Sequence, residues 1–135
     1  MALAKDRNTP ARSGDTRVLP VDGGSKIFAG SMVALNATGF LIPFAVATTL
    51  KSAGRAEQQV DNTLGSDGDL SCRVATGIFR FKNSTAGDLI AKADIGADCY
   101  GVDDETVAKT NGTNTRSVAG KIFDVDADGV WVRFS

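Results

Sequence analysis

A chain of 135 residues with 42% hydrophobic residues is the size of one domain and long enough to bury its own core without staples. A net charge of −1 and a pI of about 5.3 exclude a general nucleic-acid binder, which would carry a basic excess or stripe. The absence of histidine removes Ser-His-Asp and Cys-His catalysis, histidine metal sites and histidine pH switching. Fifteen glycines recur at short intervals, as turns between short strands require.

Residues 1–17 read as an extended polar arm. It carries Lys5, Arg7, Arg12 and Arg17 against Asp6 and Asp15, and Pro10, Ser13 and Gly14 discourage helix. It has no apolar signal-peptide core, and the most apolar run, residues 40–50, is too short for a bilayer and contains Pro43. The expectation is a soluble protein made in the cytoplasm, with no membrane partner. Such an arm either frays or gains order on a neighbouring subunit.

Residues 18–135 read as a single β-domain. The first strand, residues 16–21 (TRVLPV), belongs at an edge because Pro20 cannot donate to a ladder. After the Asp22-Gly23-Gly24-Ser25 turn come residues 26–28 and 31–35, then a turn at 36–39 and a short apolar strand at 40–44. Val33 and Leu35 are expected to share a buried hairpin face with Phe40 and Ile42. Residues 45–50 are a loop or one helical turn. Residues 52–61 (SAGRAEQQVD) suit helix by propensity, but the β context favours a strand with Ala56, Gln58 and Val60 on one face.

Residues 70–81 (LSCRVATGIFRF) read as one long strand. Cys72 and Val74 share one parity and Phe79 and Phe81 the other, so a β-bulge is expected at Gly77. Cys72 and Cys99 are far apart, leaving one disulfide or, as expected of a protein made in the cytoplasm, two buried free thiols. Residues 88–92 are a short strand or link. Strands follow at 99–102, 106–109, 117–125 and 129–134. Val130, Val132 and Phe134 should face the core; Trp131 and Arg133 face the other way, towards a second packed layer or a self-association contact. With turn signals at intervals of about 8 to 12 residues, this is an all-β chain, a jelly-roll-like sandwich or small barrel of about eight to ten short strands.

The acidic clusters do not read as chemistry. Asp124-Val125-Asp126-Ala127-Asp128-Gly129 imitates the start of a calcium loop, but the closing bidentate Glu is replaced by Ser135. Asp103, Asp104 and Glu105 read as a solvated hairpin tip rather than a glycosidase pair, which needs two carboxylates opposed across a cleft. No phosphate-binding GK[ST] loop occurs. No catalytic residue, metal or cofactor is expected.

The chain resembles the head-decoration, or capsid cement, proteins of tailed bacteriophages. The resemblance lies in Val60-Asp61-Asn62, GIFRF (residues 77–81), ADIG (residues 93–96) with Cys99-Tyr100, VDDETVA (residues 102–108) and AGKIFDVDADGVWVRF (residues 119–134). It implies a β-protein bound in many copies to the outside of an icosahedral head, bridging neighbouring copies of the major capsid protein. It also implies a homo-oligomer, dimer or trimer, with the cations Lys5, Arg7, Arg12 and Arg17 at the capsid contact. A tail or baseplate component and a carbohydrate-binding β-domain are the alternatives.

Overall fold

The computed structural model describes residues 2–12 and 14–135; Met1 and Ser13, both in the arm, lie outside the described residues. Two five-stranded antiparallel sheets face each other. The first has the order β1 (Thr16–Pro20), β7 (Ser71–Ala75), β5 (Lys51–Ala56), β3 (Met32–Leu35), β4 (Leu41–Pro43). The second has the order β10 (Val107–Ala108), β9 (Asp98–Gly101), β11 (Val118–Asp126), β12 (Gly129–Phe134), β8 (Gly77–Phe81). A two-stranded sheet of β2 (Lys26–Ile27) and β6 (Val60–Asp61) adds a third layer. Helical structure among the described residues is confined to two 3-10 turns, Ala86–Asp88 and Lys92–Asp94. The expected sandwich is therefore the architecture. A parallel bridge between Lys82 and Thr106 brings the two edges of the second sheet together at one end, but no closed barrel results.

The strands form where the sequence alternates, and the alternation fills two cores. Between the two large sheets lie Met32, Ala34, Phe44, Phe81, Val107 and Val132 among others. On the other side of the first sheet, Val33, Leu41, Cys72 and Val74 pack with Ile27 and Val60 of the small sheet. The first sheet is thus apolar on both faces, and Met32, Val33 and Ala34 are consecutive and fully buried. Each large aliphatic side chain so buried contributes roughly 1.5–3 kcal/mol. The two cysteines fall one in each core and are free thiols. Burial pushes the Cys99 thiol up to about 12 and raises that of Cys72.

Several expectations are corrected. Residues 70–81 are two strands, not one bulged strand: β7 belongs to the first sheet and β8 to the second, with Thr76 and Gly77 at the corner. The parity change between Val74 and Phe79 records a change of sheet. Gly77 has φ +137°, a conformation L side chains rarely adopt, and the Thr76 hydroxyl and amide donate to the carbonyls of Gly14 and Asp15, fastening the corner beneath β1. The β3–β4 register pairs Leu35 with Leu41 and Ala34 with Ile42, so Leu41, not Phe40 or Ile42, joins Val33 and Leu35. The strand at 52–61 forms only to Ala56; Val60 and Asp61 leave for the small sheet, and Gln58 turns back so that its side-chain carbonyl accepts the Arg73 amide at 3.2 Å. Of the two alternatives for residues 88–92, the structure shows the link. β1 lies at the sheet edge with Pro20 as its last residue, as expected.

Glycine is required where the sheets approach most closely. A Cβ on Gly101 of β9 would sit 2.1 Å from ring carbons of Phe44, itself only 2% exposed. Gly101→Ala is expected to cost about 2 kcal/mol through overpacking, seen as a lower urea midpoint at unchanged slope.

Candidate functional site

The segments that carry the family resemblance are separated in the chain but mostly meet in space. GIFRF is β8, Cys99-Tyr100 lies in β9, VDDETVA leads into β10, and residues 119–134 supply nearly all of β11 and β12. Together they build the second sheet. Val60-Asp61-Asn62 stands apart, with β6 in the third layer, where buried Asn62 donates to the carbonyls of Val21, Asp22 and Ser66.

The inner face of this sheet is core. Its outer face presents Trp131 and Arg133 from β12, Ile78 and Arg80 from β8, Lys121 and Phe123 from β11, and Asp98 and Tyr100 from β9. Register sets the layout: Arg80 lies opposite Trp131, and Ile78 opposite Arg133. Arg133 in turn lies opposite Lys121, and Lys121 opposite Asp98, to which its ammonium pairs at 2.7 Å. Trp131 is half-buried, and its indole N–H donates to Asp126 Oδ2 at 2.8 Å. The Arg80 guanidinium lies 5.6 Å from the Trp131 ring, and that of Arg133 lies 5.0 Å from the Phe123 ring. A groove of about 600 Å³ runs from Gly30 and Arg55 past Ile78 and Arg80 to Trp131.

Two of these residues were expected on this face, and the others enter for different reasons. Ile78 and Arg80 follow from the parity opposite to Phe79 and Phe81. Phe123 does not, because strict alternation puts it with Val125 in the core. Instead β11 buries Ala119, Ile122 and Val125, every third residue, because its pairing shifts between Val118 and Gly120 and again between Ile122 and Asp124. The second bulge leaves Phe123 outside, 47% exposed.

The arm cations lie elsewhere. Lys5, Arg7 and Arg12 are in the exposed segment 2–12, where Arg7 donates to Thr9 Oγ1 at 2.8 Å. Arg17 is not in the arm but in β1, opposite Val74. The structure thus separates the arm cations from Trp131 and Arg133: the former precede the edge of one sheet, the latter sit on the outer face of the other.

The acidic clusters serve the fold. Asp126 Oδ1 accepts the amides of Asp128 and Gly129 at 2.8 and 3.1 Å, closing the β11–β12 hairpin. Asp124 Oδ1 accepts the Val125 amide at 2.8 Å and pairs with Lys92 at 3.4 Å. No group of three or more metal-ligating side chains gathers among the described residues. The 103–105 segment is less solvated than expected: the carbonyls of Asp104 and Glu105 accept the amides of Met32 and Lys82, each at 2.8 Å, lacing the loop to both sheets. Glu105 also pairs with the Lys82 ammonium. Burial, and then the neighbouring Asp103 charge, raise the pKa of the Asp104 carboxyl.

Comparison of the chain with protein families, with curated proteins and with solved structures found no match in any of the three. Among the described residues no helix is long and apolar enough to cross a membrane.

The Trp131–Asp126 bond is open to direct measurement. The indole N–H, then the Asp128 amide, hold the Asp126 carboxyl below the usual aspartate range. Because folding lowers this pKa, the carboxylate's contribution is complete above the ordinary range and is lost as pH falls below it. Fluorescence of the single tryptophan should therefore stay level from neutral pH through the ordinary carboxylate range and change only at lower pH. Asp126→Asn should abolish that step.

Proposed function

We propose that the protein is a structural virion component that binds the outside of an icosahedral phage head and bridges neighbouring major capsid proteins, as a decoration or cement protein. It works without catalysis or cofactor, as a dimer or trimer, on the capsid exterior after synthesis in the host cytoplasm. The observation that carries this reading is that four of the resemblance-bearing segments, GIFRF, Cys99-Tyr100, VDDETVA and residues 119–134, converge on one sheet. Its outer face has the Trp, Tyr and Arg composition of protein contact surfaces. The exposed basic arm is a second attachment point.

The physics of such a bridge is linkage. A protein that binds only the assembled shell stabilises it by mass action, and weak contacts become strong when one oligomer engages several coat subunits. The arm, exposed over residues 2–12, gains contacts on the coat that offset its ordering entropy.

The test is cosedimentation of the purified protein with expanded heads that lack it. Saturable binding and a higher temperature of genome release are expected; failure to bind sinks the proposal. Removing residues 1–12, which spares β1 and the Gly14–Thr76 bond, should weaken head binding roughly tenfold, about 1.4 kcal/mol. Labelling whole virions separates the head from a tail or baseplate location.

A further inference from the structure

We propose that the open edge of β1 pairs antiparallel with the β1 edge of a second copy of this chain, and that the basic arm of each copy then lies on the acidic loop at the end of the other's β1. The inference goes beyond the decoration reading and does not depend on it, because it concerns a contact the protein makes with itself, on or off a head.

The four sheet edges are not guarded alike. On β4, Pro43 offers no amide and the Leu41 carbonyl accepts the Asp22 amide at 3.0 Å. On β10, the Val107 amide donates to the Lys82 carbonyl at 3.0 Å, and the Val107 carbonyl accepts the Ser84 hydroxyl at 2.8 Å. β8 is tied at its end, where the Lys82 amide donates to the Glu105 carbonyl at 2.8 Å, and Arg55 stacks 3.9 Å from the Phe79 ring beside it. β1 has no such cover. Two bonds frame its ladder to β7: the Thr76 amide on the Asp15 carbonyl and the Val21 amide on the Leu70 carbonyl. Arg17 and Leu19 therefore bond to β7, while Thr16, Val18 and Pro20 turn their backbone groups outward. Among the described residues no other backbone group bonds to Thr16 or Val18. The Val18 side chain is 63% exposed on this edge. Such an edge is a template for another strand.

Backbone chemistry makes the edge self-complementary. With Val18 opposite its own counterpart, the two valines exchange both backbone bonds. The Thr16 amide of each copy meets the Pro20 carbonyl of the other, so the donor that proline lacks is not needed there. The two exposed valines cover each other and Arg17 falls opposite Leu19. Setting Thr16 opposite Val18 instead would place Arg17 directly opposite Arg17, which opposes that register.

Charge selects the same partner. In one copy the arm and the acidic loop lie at opposite ends of β1. The Thr76 hydroxyl holds the Gly14 carbonyl at 2.7 Å at the arm end. At the other end the Gly68 amide donates to the Val21 carbonyl at 2.9 Å and the Gly23 amide to Asp67 Oδ1 at 2.8 Å. A two-fold axis across β1 brings each arm to the other copy's loop. Every charged residue in 22–25 and 61–69 is an aspartate: Asp22, Asp61, Asp67 and Asp69. Asp61 lies opposite Lys26 in the small sheet; the other three have no cation within ion-pair distance among the described residues. The exposed segment 2–12 carries Lys5, Arg7 and Arg12 against Asp6 alone, and none of these cations is ion-paired among the described residues. The chain before Thr16 thus passes Asp22 of the second copy and delivers Arg12 and Arg7 to its loop.

The test is sedimentation velocity of the full-length protein over a concentration series. A monomer–dimer equilibrium that weakens with salt is expected. Val18→Lys, which sets like charges opposite each other at the axis, should abolish the dimer with an unchanged circular dichroism spectrum. Arg7→Glu/Arg12→Glu should weaken it roughly tenfold or more. Under oxidised glutathione, Val18→Cys should cross-link copy to copy far faster than Thr16→Cys, because residue 18 alone meets its own counterpart. Cys72 and Cys99 are buried and do not compete. A monomer at every concentration, a trimer, a dimer indifferent to Val18→Lys or to the arm substitutions, or equal cross-linking at 16 and 18 would each overturn the proposal. None of these results bears on whether the protein cosediments with heads.

Discussion

The rest of the structure depends on how the chain passes from one sheet to the other at Thr76 and Gly77. A strand that continued straight through this point would keep Cys72, Val74, Thr76 and Ile78 on one face. The corner breaks that series. It ends β7 in the first sheet, starts β8 in the second, and turns Phe79 and Phe81 inward against Phe134, whose ring lies 6.2 and 5.8 Å from theirs. By the same rotation Ile78 and Arg80 are placed outward, beside Trp131 and Arg133. One glycine with a positive φ and one threonine tied to the segment before β1 therefore decide both the shared core and the composition of the candidate contact surface.

The second sheet is divided between two tasks by its pleat. Its inner residues supply most of the core between the large sheets, so its position is over-determined by packing. Its outer residues inherit that rigidity without contributing to it, which suits a contact surface: the side chains are presented on strands and their entropy is restricted by stacking and by the Trp131–Asp126 bond. The two bulges in β11 sharpen the division. They coil the strand so that a residue in three faces the core, and they leave Phe123 on the exterior.

What the sequence made legible follows period and turn chemistry. The β12 alternation of Val130, Trp131, Val132, Arg133 and Phe134 predicts both faces correctly, because this strand is regular and paired on both sides. Pro20 predicts an edge because a missing donor has only one comfortable place in a sheet. The changed parity around Gly77 was visible, but a bulge and a change of sheet leave the same trace in one dimension; only the pairing partners distinguish them. The outward turn of Phe123 and the backbone bonds that lace the 103–105 hairpin tip to both sheets were not legible, because bulges and lacing depend on neighbours distant in sequence. Arg17 was read both as the last residue of the arm and as part of the first strand, and its pairing with Val74 settles it in β1.

The first sheet, covered on both sides, has a consequence for how the chain finds its register. In a sheet with one wet face, a one-residue slip exposes apolar groups and buries polar ones, so hydrophobicity alone rejects the error. With Met32, Val33 and Ala34 all buried, β3 has no such signal, and a slipped strand would still bury apolar side chains. Volume must arbitrate instead. Gly54, opposite Val33, leaves no room for a Cβ, which would fall 2.2 Å from the Ala75 carbonyl oxygen. In this layer shape rather than polarity distinguishes correct pairing from near misses, and errors would be settled late, when side chains interlock, rather than at collapse.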